Sequence, residues 1–426
     1  MSVAGSQQQI FLRLASSLRP HWRRDAGLPA RIQRLLTGRR AFGARDRRLY
    51  RELIFTTLRY LAWVEPLLDH SSPLAIQLVA WLAADIPATR AFRSALVGDW
   101  PPCPANVTEK ALVAGQRLHL PAGKTTRIIQ GDGPGPNEGQ ANKLPLPLPN
   151  WFREHCPDAF APAQVDALLA RAPLWLRLQT PDISPVTDEF DADGWAWQRS
   201  AVIPSALRLL DEADVTKSHA HGNGHIEVQD LGSQMILTSI GIEPGGRWLD
   251  ACAGAGGKTL QLAGLLGANG HIDACDVRPA ALAELRERAQ RARLDHITTS
   301  STPPGDAYDG VLVDAPCSGS GTWRRAPHLK WTTTPAQIAA AARRQLALLR
   351  EFSRRVRPGG RLVYATCSLS RHENEDVVAA FLAGQAEFAP ERFATPFGFT
   401  PHAGGITILP AQYDTDGFFA ASLRRS

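Results

Sequence analysis

The chain has 426 residues, which at about 100–200 residues per domain indicates roughly two to four domains. With 44% hydrophobic and 21% charged residues and a mean hydropathy of −0.18, it is too apolar to be disordered throughout and too interrupted by charge to span a bilayer. No run approaches the roughly 18 consecutive apolar residues of a membrane helix, and no secretory signal is evident. We therefore expect a soluble cytoplasmic protein with no membrane partner.

Positive charge is concentrated in the first 60 residues. This segment holds 13 Arg against Asp25, Asp46 and Glu52, a formal net charge of +10, whereas the other 366 residues carry 34 basic and 38 acidic side chains. Such a segment is typical of a surface that binds a polyanion, nucleic acid before membrane. The alternative is a generally Arg-rich composition, since the whole chain has 41 Arg and 6 Lys.

The N-terminal part of the chain has the spacing of an all-α domain. Apolar residues recur at three- and four-residue steps from Leu49 to Val64, and arginines lie between most of them. We assign residues 1–130 to this domain. Residues 131–150 are rich in Pro and Gly, which oppose regular structure, and are predicted to be a linker.

Two further domains are predicted after the linker. Residues 151–238 mix a helix at Ala163–Leu169 with strand-like pieces at Trp175–Leu178 and His225–Val228, which indicates a small α+β domain. Residues 239–426 alternate short apolar strands with helices, the pattern of an α/β doubly wound parallel sheet. The strands are predicted at Arg247–Asp250, His271–Asp276, Ile297–Ser300, Gly310–Asp314 and Arg361–Thr366.

The end of the chain departs from this alternation. A long helix is predicted from Ile338 to Val356, ended by Pro358-Gly359-Gly360. The segments Gly405–Leu409 and Gly417–Leu423 then form a closing hairpin, antiparallel to the other strands. This ending is characteristic of methyltransferase-type sheets rather than of dehydrogenases.

A glycine-rich turn follows the first strand of this sheet. Glycine permits positive φ and lets a ligand approach the backbone, and free N–H groups at a helix start bind polar atoms. A phosphate-binding Walker A loop is excluded because it needs Gly where Cys252 stands. Asp276, at the end of the second strand, can accept both ribose hydroxyls, so an adenosine-bearing cofactor is predicted. The residues predicted to hold it are Cys252, Ala253, Gly254, Ala255, Gly256, Gly257, Lys258, Asp276 and Asp314.

Two cysteines lie at the ends of neighbouring predicted strands. Cys317 follows the fourth strand and Cys367 follows the fifth, so both belong to the cofactor edge of the sheet. A single cysteine is more often a small buried apolar residue. Two of them at adjacent strand ends favour thiol chemistry instead. The six cysteines have no C-x-x-C spacing, and no metal site is predicted.

These motifs resemble the Sun-type family of RNA cytosine-5 methyltransferases, in particular its RsmB-like branch. The resemblance covers about Asn150 to Arg424 and rests on the GAGGK turn, on DAPCSGSG, and on Cys367 with the Glu373-Asn374-Glu375 that follows it. It implies a class I methyltransferase core that binds S-adenosylmethionine and a small RRM-like domain before it. It also implies a NusB-like RNA-binding module at the N-terminus.

Methylation at carbon 5 of cytosine is a reaction in which two thiols can take part. Carbon 5 is a poor nucleophile until a thiolate adds at carbon 6 of the ring. The resemblance assigns this attack to Cys367 and the release of the product to Cys317. Asp314, if its site keeps it protonated, is placed to hydrogen-bond ring nitrogen 3. Lys258 is the cation expected to favour the thiolate, or else to orient the turn or Asp314.

The chain departs from the family pattern at two places. Ala255 stands where the family usually has Pro, which removes one source of rigidity from the turn. The stretch Ser300–Pro304 lacks the acidic residue that normally holds the adenine amino group, with Asp306 a poorly placed substitute.

RNA is the expected substrate of a monomeric enzyme, with ribosomal RNA favoured and tRNA left open. Trp323, Arg324 and Arg325, after the Cys317 turn, are predicted to contact it, as are Arg47 and Arg48 in the NusB-like stretch. The alternative for Trp323 is a position in the core. Two alternatives are weighed. A noncatalytic RNA-binding or ribosome-assembly protein with a vestigial core would have lost one of the two cysteines. An amino-group methyltransferase would carry an Asn/Asp-Pro-Pro-aromatic turn, which this chain lacks.

Overall fold

The computed structural model describes residues 2–39, 41–118, 144–402 and 404–426. The chain forms two compact units. The first, the helical unit, comprises Met1–Arg171 and Trp323–Thr334, and the second, the sheet unit, comprises Ala172–Thr322 and Pro335–Ser426. The predicted boundaries differ from these units, because residues 151–171 belong with the N-terminal helices and the small α+β domain belongs with the large sheet.

The described part of the helical unit contains helices and no strand, as the apolar spacing predicts. The side chains of Ile54, Leu58 and Leu61, four and three residues apart, are all buried. The helices are α1 (Val3–Leu18), α2 (Leu28–Thr37), α3 (Ala44–Arg59), α4 (Leu61–His70), α5 (Ser72–Leu82), α6 (Arg90–Leu96), α7 (Val107–Arg117) and α8 (Pro162–Leu169), with short turns at Arg19–His21, Asn150–Glu154, Pro157–Phe160 and Leu329–Thr332.

Residues 144–171 join this unit through specific contacts. Asp166 on α8 accepts a hydrogen bond of 2.6 Å from the N–H of Val107 at the start of α7. The indole N–H of Trp63 donates to the carbonyl of Pro145 at 2.7 Å. The predicted linker therefore ends in a packed segment, whereas its residues 131–143 lie outside the described residues.

A four-stranded antiparallel sheet begins the sheet unit. Its strands are β1 (Leu174–Leu178), β2 (Trp197–Arg199), β3 (Ala206–Leu209) and β4 (Ile226–Val228), in the order β2-β3-β1-β4. Helix α9 (Ser184–Ala192) packs against it through Val186 and Phe190. Short turns follow at Val215–Lys217 and His219–Gly222. This is the small α+β arrangement expected before the large sheet.

The large sheet has the predicted doubly wound form with an antiparallel end. Its strands are β5 (Gly246–Asp250), β6 (Gly270–Cys275), β7 (Ile297–Ser300), β8 (Tyr308–Asp314), β9 (Val356–Thr366), β10 (Phe388–Pro390), β11 (Gly405–Ile408) and β12 (Phe418–Arg425). The order is β10-β12-β9-β8-β5-β6-β7, with β11 paired to β12. Strands β5 to β9 pair in parallel, and β12 is antiparallel to β9.

Helices cover both faces of this sheet, so its central strands are buried on both sides. On β8, Leu312 belongs to one apolar cluster and its neighbours Val311 and Val313 belong to the other. In the amino-acid sequence, such strands are continuous runs of apolar residues. The helices are α10 (Leu231–Ile240), α11 (Gly257–Leu266), α12 (Pro279–Arg291), α13 (Pro335–Ser353) and α14 (Glu375–Ala383), with short turns at Ser320–Thr322, Arg371–Glu373 and Pro410–Tyr413.

Parallel pairing brings the carboxyl ends of β5, β6, β8 and β9 to one edge of the sheet. Asp250 on β5 is in register with Leu312 on β8, and Asp314 is in register with Ala365 on β9. The glycine-rich turn and both cysteines follow these strand ends. They therefore share the edge at which sheets of this type bind ligands.

Helix α13 is shorter than predicted. It ends at Ser353, and Val356 instead begins β9, where it pairs with Tyr308. The Pro358-Gly359-Gly360 stretch lies in an irregular part of β9, where the register with β8 shifts, so these residues interrupt a strand rather than end a helix. Among the residues that the structure describes, no helix has the length and apolarity needed to cross a membrane.

Candidate active site

The turn between β5 and α11 requires glycine at two positions. Gly254 and Gly256 have φ values of +55° and +91°, in the left-handed region. A Cβ on Gly256 would lie 2.8 Å from Cγ of Leu285 on α12. The turn therefore packs closely against α12, and it leaves the first N–H groups of α11 without partners inside the helix.

Asp276 follows β6, and its carboxylate is held against the turn. Oδ2 accepts a hydrogen bond from the N–H of Gly254 at 2.9 Å, and Oδ1 accepts one from Nε of Arg278 at 2.9 Å. The hydrogen bond from Arg278 is the main cause that lowers the pKa of Asp276 below its usual value. The side chain is therefore an ionised acceptor, as a partner for ribose hydroxyls must be.

A cleft of about 820 Å³ opens at this edge of the sheet, within the size range of ligand sites. It is lined by the turn, by Asp276 and by Val277, which is 78% exposed. Ser301, Thr302 and Pro303 line it after β7. Exposed apolar surface beside an ionised carboxylate and free N–H groups fits an adenosine-bearing cofactor.

Asp306 does not take the place of the acidic residue that the family carries after β7. Its carboxylate bonds to Nη1 of Arg355 at 2.8 Å, its side chain is 80% exposed, and it does not line the cleft. The expectation of Asp306 as a substitute is therefore wrong. Glu351 on α13 is the acidic residue that lines the cleft besides Asp276 and Asp314.

The two cysteines that sequence analysis singles out lie side by side. Cys317 Sγ and Cys367 Sγ are 3.3 Å apart, and both residues are partly exposed and line the cleft. We call the segments Ala315–Gly321 and Cys367–Ser370 the cysteine loops. The N–H of Gly321 donates to the carbonyl of Cys367 at 3.0 Å, which joins the two loops directly.

Lys258 and Asp314 form an ion pair beside the cysteines. Nζ of Lys258 donates to Oδ2 of Asp314 at 2.8 Å, and only 9% of the lysine is exposed. Burial opposes the charge of Lys258, but the charge and hydrogen bond of Asp314 outweigh it, and the charge of Cys367 adds, so the pKa of Lys258 is raised. The cation is thus retained in the cleft.

The pKa of Cys317 is raised well above its usual value. The largest cause is its hydrogen bond with Cys367, followed by burial and by the negative charges of Cys367 and Glu373. Cys317 is therefore a protonated thiol at neutral pH, able to donate its S–H to the sulfur of Cys367.

Cys252 and Asp250 lie deeper in the same region. Burial raises the pKa of Cys252 to about 12, so this thiol is a structural part of the turn and a poor nucleophile. Burial also raises the pKa of Asp250 to about 7, although Oγ1 of Thr259 donates to it at 2.7 Å. Asp250 is 1% exposed and lies under the turn rather than in the cleft lining.

Glu373 is a residue to which sequence analysis assigns no role. It is fully buried, and its carboxylate accepts hydrogen bonds from the N–H of Ser318 at 2.8 Å and from Oγ of Ser368 at 2.7 Å. Nε2 of Gln345 on α13 donates to it at 3.1 Å. Glu373 therefore joins both cysteine loops to one helix. A buried position is usually apolar. The acidic residue at position 373 was therefore the signal in the sequence that could have indicated a polar role.

The predicted RNA contacts separate into two groups. Arg324 is 2% exposed and donates to the carbonyl of Arg171 at 2.8 Å, and Trp323 is fully buried with its ring centroid 4.6 Å from that of Phe152. The prediction that these two residues contact RNA is wrong, because they belong to the interior of the helical unit. Arg325 is exposed.

The remaining predicted contacts, Arg47 and Arg48, are exposed on α3 of the helical unit.

The segment Trp323–Thr334 is held in the same unit by further polar contacts. Nζ of Lys330 donates to the carbonyl of Arg59 at 2.8 Å, and Nε1 of Trp331 donates to that of Leu58 at 2.7 Å. The segment is therefore a structural element of that unit.

The strand order, the antiparallel end and the glycine-rich turn together define the fold of the class I, S-adenosylmethionine-dependent methyltransferases. The family model for the 16S rRNA methyltransferase RsmB/F matches residues 237–424. The chain is 34% identical over 290 residues to the ribosomal RNA small subunit methyltransferase B of Xylella fastidiosa, an alignment of 65% of this chain and 68% of that protein. The chain belongs to the RsmB/F family of methyltransferases.

A further relative agrees with this family, and solved structures agree with the fold. The enzyme of the same name from Xanthomonas campestris is 31% identical over 297 residues, 65% of this chain and 66% of that protein. The alignments span between 47% and 68% of the curated relatives' length. The crystal structure of PH0851 has a TM-score of 0.68 at 22% identity and covers 97% of each chain. That of NSun6 from Pyrococcus horikoshii has a TM-score of 0.58 at 21% identity, over 65% of this chain and 98% of that one.

Proposed function

We propose that the chain transfers a methyl group from S-adenosylmethionine to carbon 5 of a cytosine in ribosomal RNA, through a covalent adduct with Cys367. The observation that carries the proposal is the approach of Cys317 Sγ and Cys367 Sγ to 3.3 Å in a cleft that also contains the glycine-rich turn. The names of the RsmB/F relatives, which specify ribosomal RNA, support the substrate.

The cofactor would be held by three kinds of group. The N–H groups at the start of α11 and the turn would bind its polar end, Asp276 its ribose hydroxyls, and Val277 would pack on its adenine. When bound, S-adenosylmethionine supplies an electrophilic methyl group. The protein must then make carbon 5 of the base a nucleophile.

Cys367 performs this activation. Its thiolate bonds to carbon 6, the electron pair of the carbon 5–carbon 6 double bond moves into the ring toward nitrogen 3, and carbon 5 gains enamine character. The Lys258–Asp314 ion pair, 2.8 Å long, keeps a proton beside the ring to meet the charge that develops on nitrogen 3. The S–H of Cys317 stabilises the attacking thiolate before the bond forms.

Cys317 then serves in release. Its pKa is raised chiefly by the hydrogen bond with Cys367 and also by the charge of Cys367. Both causes disappear once the sulfur of Cys367 is bonded to carbon 6, so the pKa of Cys317 falls and its thiol can release its proton to solvent. The Cys317 thiolate takes the proton from the methylated carbon 5, the electron pair of that C–H bond re-forms the double bond between carbons 5 and 6, and Cys367 leaves carbon 6 as a thiolate.

The proposal is tested by methyl transfer followed by nucleoside analysis. The chain is incubated with small-subunit ribosomal RNA lacking the modification and with S-adenosylmethionine labelled in the methyl group, and the RNA is digested to nucleosides. Labelled 5-methylcytidine is expected from the wild type and from the matched control Cys103→Ala, since Cys103 belongs to the helical unit. A different methylated nucleoside would contradict the proposal, and absence of label would favour the noncatalytic alternative.

A further inference from the structure

Two arginines reach the glycine-rich turn without lining the cleft. Nη1 of Arg288 on α12 donates to the carbonyl of Ala255 at 2.6 Å, and Nη1 of Arg177 on β1 donates to the carbonyl of Gly257 at 2.9 Å. Arg177 is 5% exposed, and the side chain of Arg288 is 16% exposed. Neither takes part in the proposed chemistry.

Glu227 on β4 is hydrogen-bonded to Arg288 and lies opposite Arg177 in the register of β4 with β1. Its carboxylate is 3% exposed and accepts hydrogen bonds from Nη2 of Arg288 at 2.9 Å and from Nη2 of Arg291. Burial lowers the pKa of Arg177 to about 10, and the charge of Glu227 opposes this effect, so the guanidinium stays charged at neutral pH. A buried guanidinium needs such a counter-charge.

The guanidinium of Arg177 is fixed by further acceptors. Nη1 also donates to Oε1 of Gln229 at 2.5 Å, and Nη2 donates to Oε1 of Gln179 at 2.7 Å. Because a guanidinium is planar and rigid, three acceptors define its orientation toward the carbonyl of Gly257. The small antiparallel sheet thereby holds one end of the turn.

The turn has a position that needs outside support. Ala255 lacks the ring that would restrict φ in a proline, so its backbone is free to move unless another group holds it. Arg288 bonds to the carbonyl of this same residue. Leu285, one helical turn earlier on α12, lies against Gly256, so α12 contacts two successive residues of the turn.

We propose that Arg177, Arg288 and Glu227, together the arginine clamp, are positioning residues that hold the cofactor turn in its binding conformation from behind the cleft. The small antiparallel sheet is then part of the cofactor site. The identity of the ligand rests on the proposed function, whereas the order that the clamp imposes on the turn does not.

The test measures the order of the turn and the affinity for the cofactor separately. In Arg288→Met, hydrogen–deuterium exchange of the amides from Cys252 to Lys258 is followed in the ligand-free protein, and the dissociation constant for S-adenosylmethionine is measured by calorimetry. We expect faster exchange in the turn and about tenfold weaker binding, with a raised KM for the cofactor and kcat at saturation within about twofold of wild type. Arg286→Met, an exposed arginine of the same helix that donates to Thr299, is the control and should match wild type.

Two milder substitutions distinguish a loss of cofactor affinity from a loss of folding. Arg288→Lys keeps the charge near Glu227 and should recover part of the affinity, and Glu227→Gln keeps the shape of the side chain but removes its charge and should weaken binding. Wild-type exchange and wild-type affinity in Arg288→Met would overturn the proposal, as would lowered kcat with unchanged affinity. If the turn exchanges faster in Arg288→Met but the wild type binds no S-adenosylmethionine, the positioning role of the clamp is supported and the proposed function is contradicted.

Discussion

Nζ of Lys258 donates to Oδ2 of Asp314 at 2.8 Å, and this ion pair joins the glycine-rich turn to the strand end that precedes Cys317. The sequence predicts that Asp314 acts as an acid if its site keeps it protonated, with Lys258 as a residue that could orient it. The structure pairs it with a retained cation, so in the proposed chemistry the proton that meets the developing charge on the base would belong to the pair. Removing either side chain should therefore remove the contribution of both to the reaction rate.

Replacing Lys258 by methionine should lower the single-turnover rate of methyl transfer by roughly 10²- to 10³-fold, because it removes the cation that stabilises charge on the ring. The measurement is rapid-quench transfer of labelled methyl groups at saturating cofactor and RNA. Lys217→Met is the control, since that lysine lies in a short turn with its side chain 82% exposed. A Lys258→Met rate within threefold of wild type would contradict the role of the pair.

Replacing Glu373 by glutamine should loosen both cysteine loops. The amide nitrogen of glutamine cannot accept a hydrogen bond, so the N–H of Ser318 or the hydroxyl of Ser368 loses its buried partner, at a cost of about 1–3 kcal/mol in the free energy of unfolding. Urea titration measures the stability, and the methyl transfer rate should also fall. Glu287→Gln, an exposed glutamate of α12, is the matched control. Unchanged stability of Glu373→Gln would show that these hydrogen bonds contribute little.

Asp250 should make the stability of the chain depend on pH. Its pKa is raised to about 7 in the fold, mainly by burial, and is about 4 in an unfolded chain. A carboxyl group with a raised pKa stabilises the fold in its protonated form, so its contribution is complete below about pH 4 and is lost as the pH rises through about 7. Asp250→Asn cannot ionise, so its stability relative to wild type should rise over this interval, by a few kcal/mol at most.

Urea unfolding at several pH values from 4 to 8 measures this difference. Asp306→Asn, at an exposed carboxylate paired with Arg355, is the control and should show no comparable trend. If the difference in the free energy of unfolding between Asp250→Asn and wild type is the same at every pH, Asp250 does not titrate in this interval.

RNA binding should depend on Arg47 and Arg48 and not on Arg324. Each phosphate contact contributes about 0.7–0.9 to the slope of log affinity against log salt, so the double variant Arg47→Ala, Arg48→Ala should flatten the slope by about 1.5. Filter binding over a range of salt concentrations measures it. Arg324→Met should destabilise the helical unit and leave the slope unchanged, because the side chain is buried. An equal change of slope in both proteins would contradict this division.

Local patterns in the sequence were sufficient to predict the large sheet. Strands β5 to β8 lie within a few residues of the predicted segments, because strands buried on both faces appear as short apolar runs between turn residues. Asp276, Cys317 and Cys367 follow β6, β8 and β9, so the parallel order already assigns them to one edge.

Residues whose environment is set by distant parts of the chain could not be predicted in this way. Arg324 follows a functional loop and is basic, which locally indicates a surface, yet its partner Arg171 is 153 positions away. Glu373 likewise meets Ser318 at a separation of 55 residues. Pro358 suggests the end of a helix, and only the pairing of Val356 with Tyr308 shows that it lies in a strand.

The most direct test of the account is to trap the adduct. Without Cys317 the proton on methylated carbon 5 is not removed, so the bond between Cys367 and carbon 6 persists. Cys317→Ala, incubated with ribosomal RNA and S-adenosylmethionine, should give a protein–RNA species that survives denaturing electrophoresis, with peptide mapping locating the link at Cys367. Cys367→Ala and the double variant should give none. Formation of 5-methylcytidine by Cys367→Ala, or a link at a cysteine other than Cys367, would contradict the account.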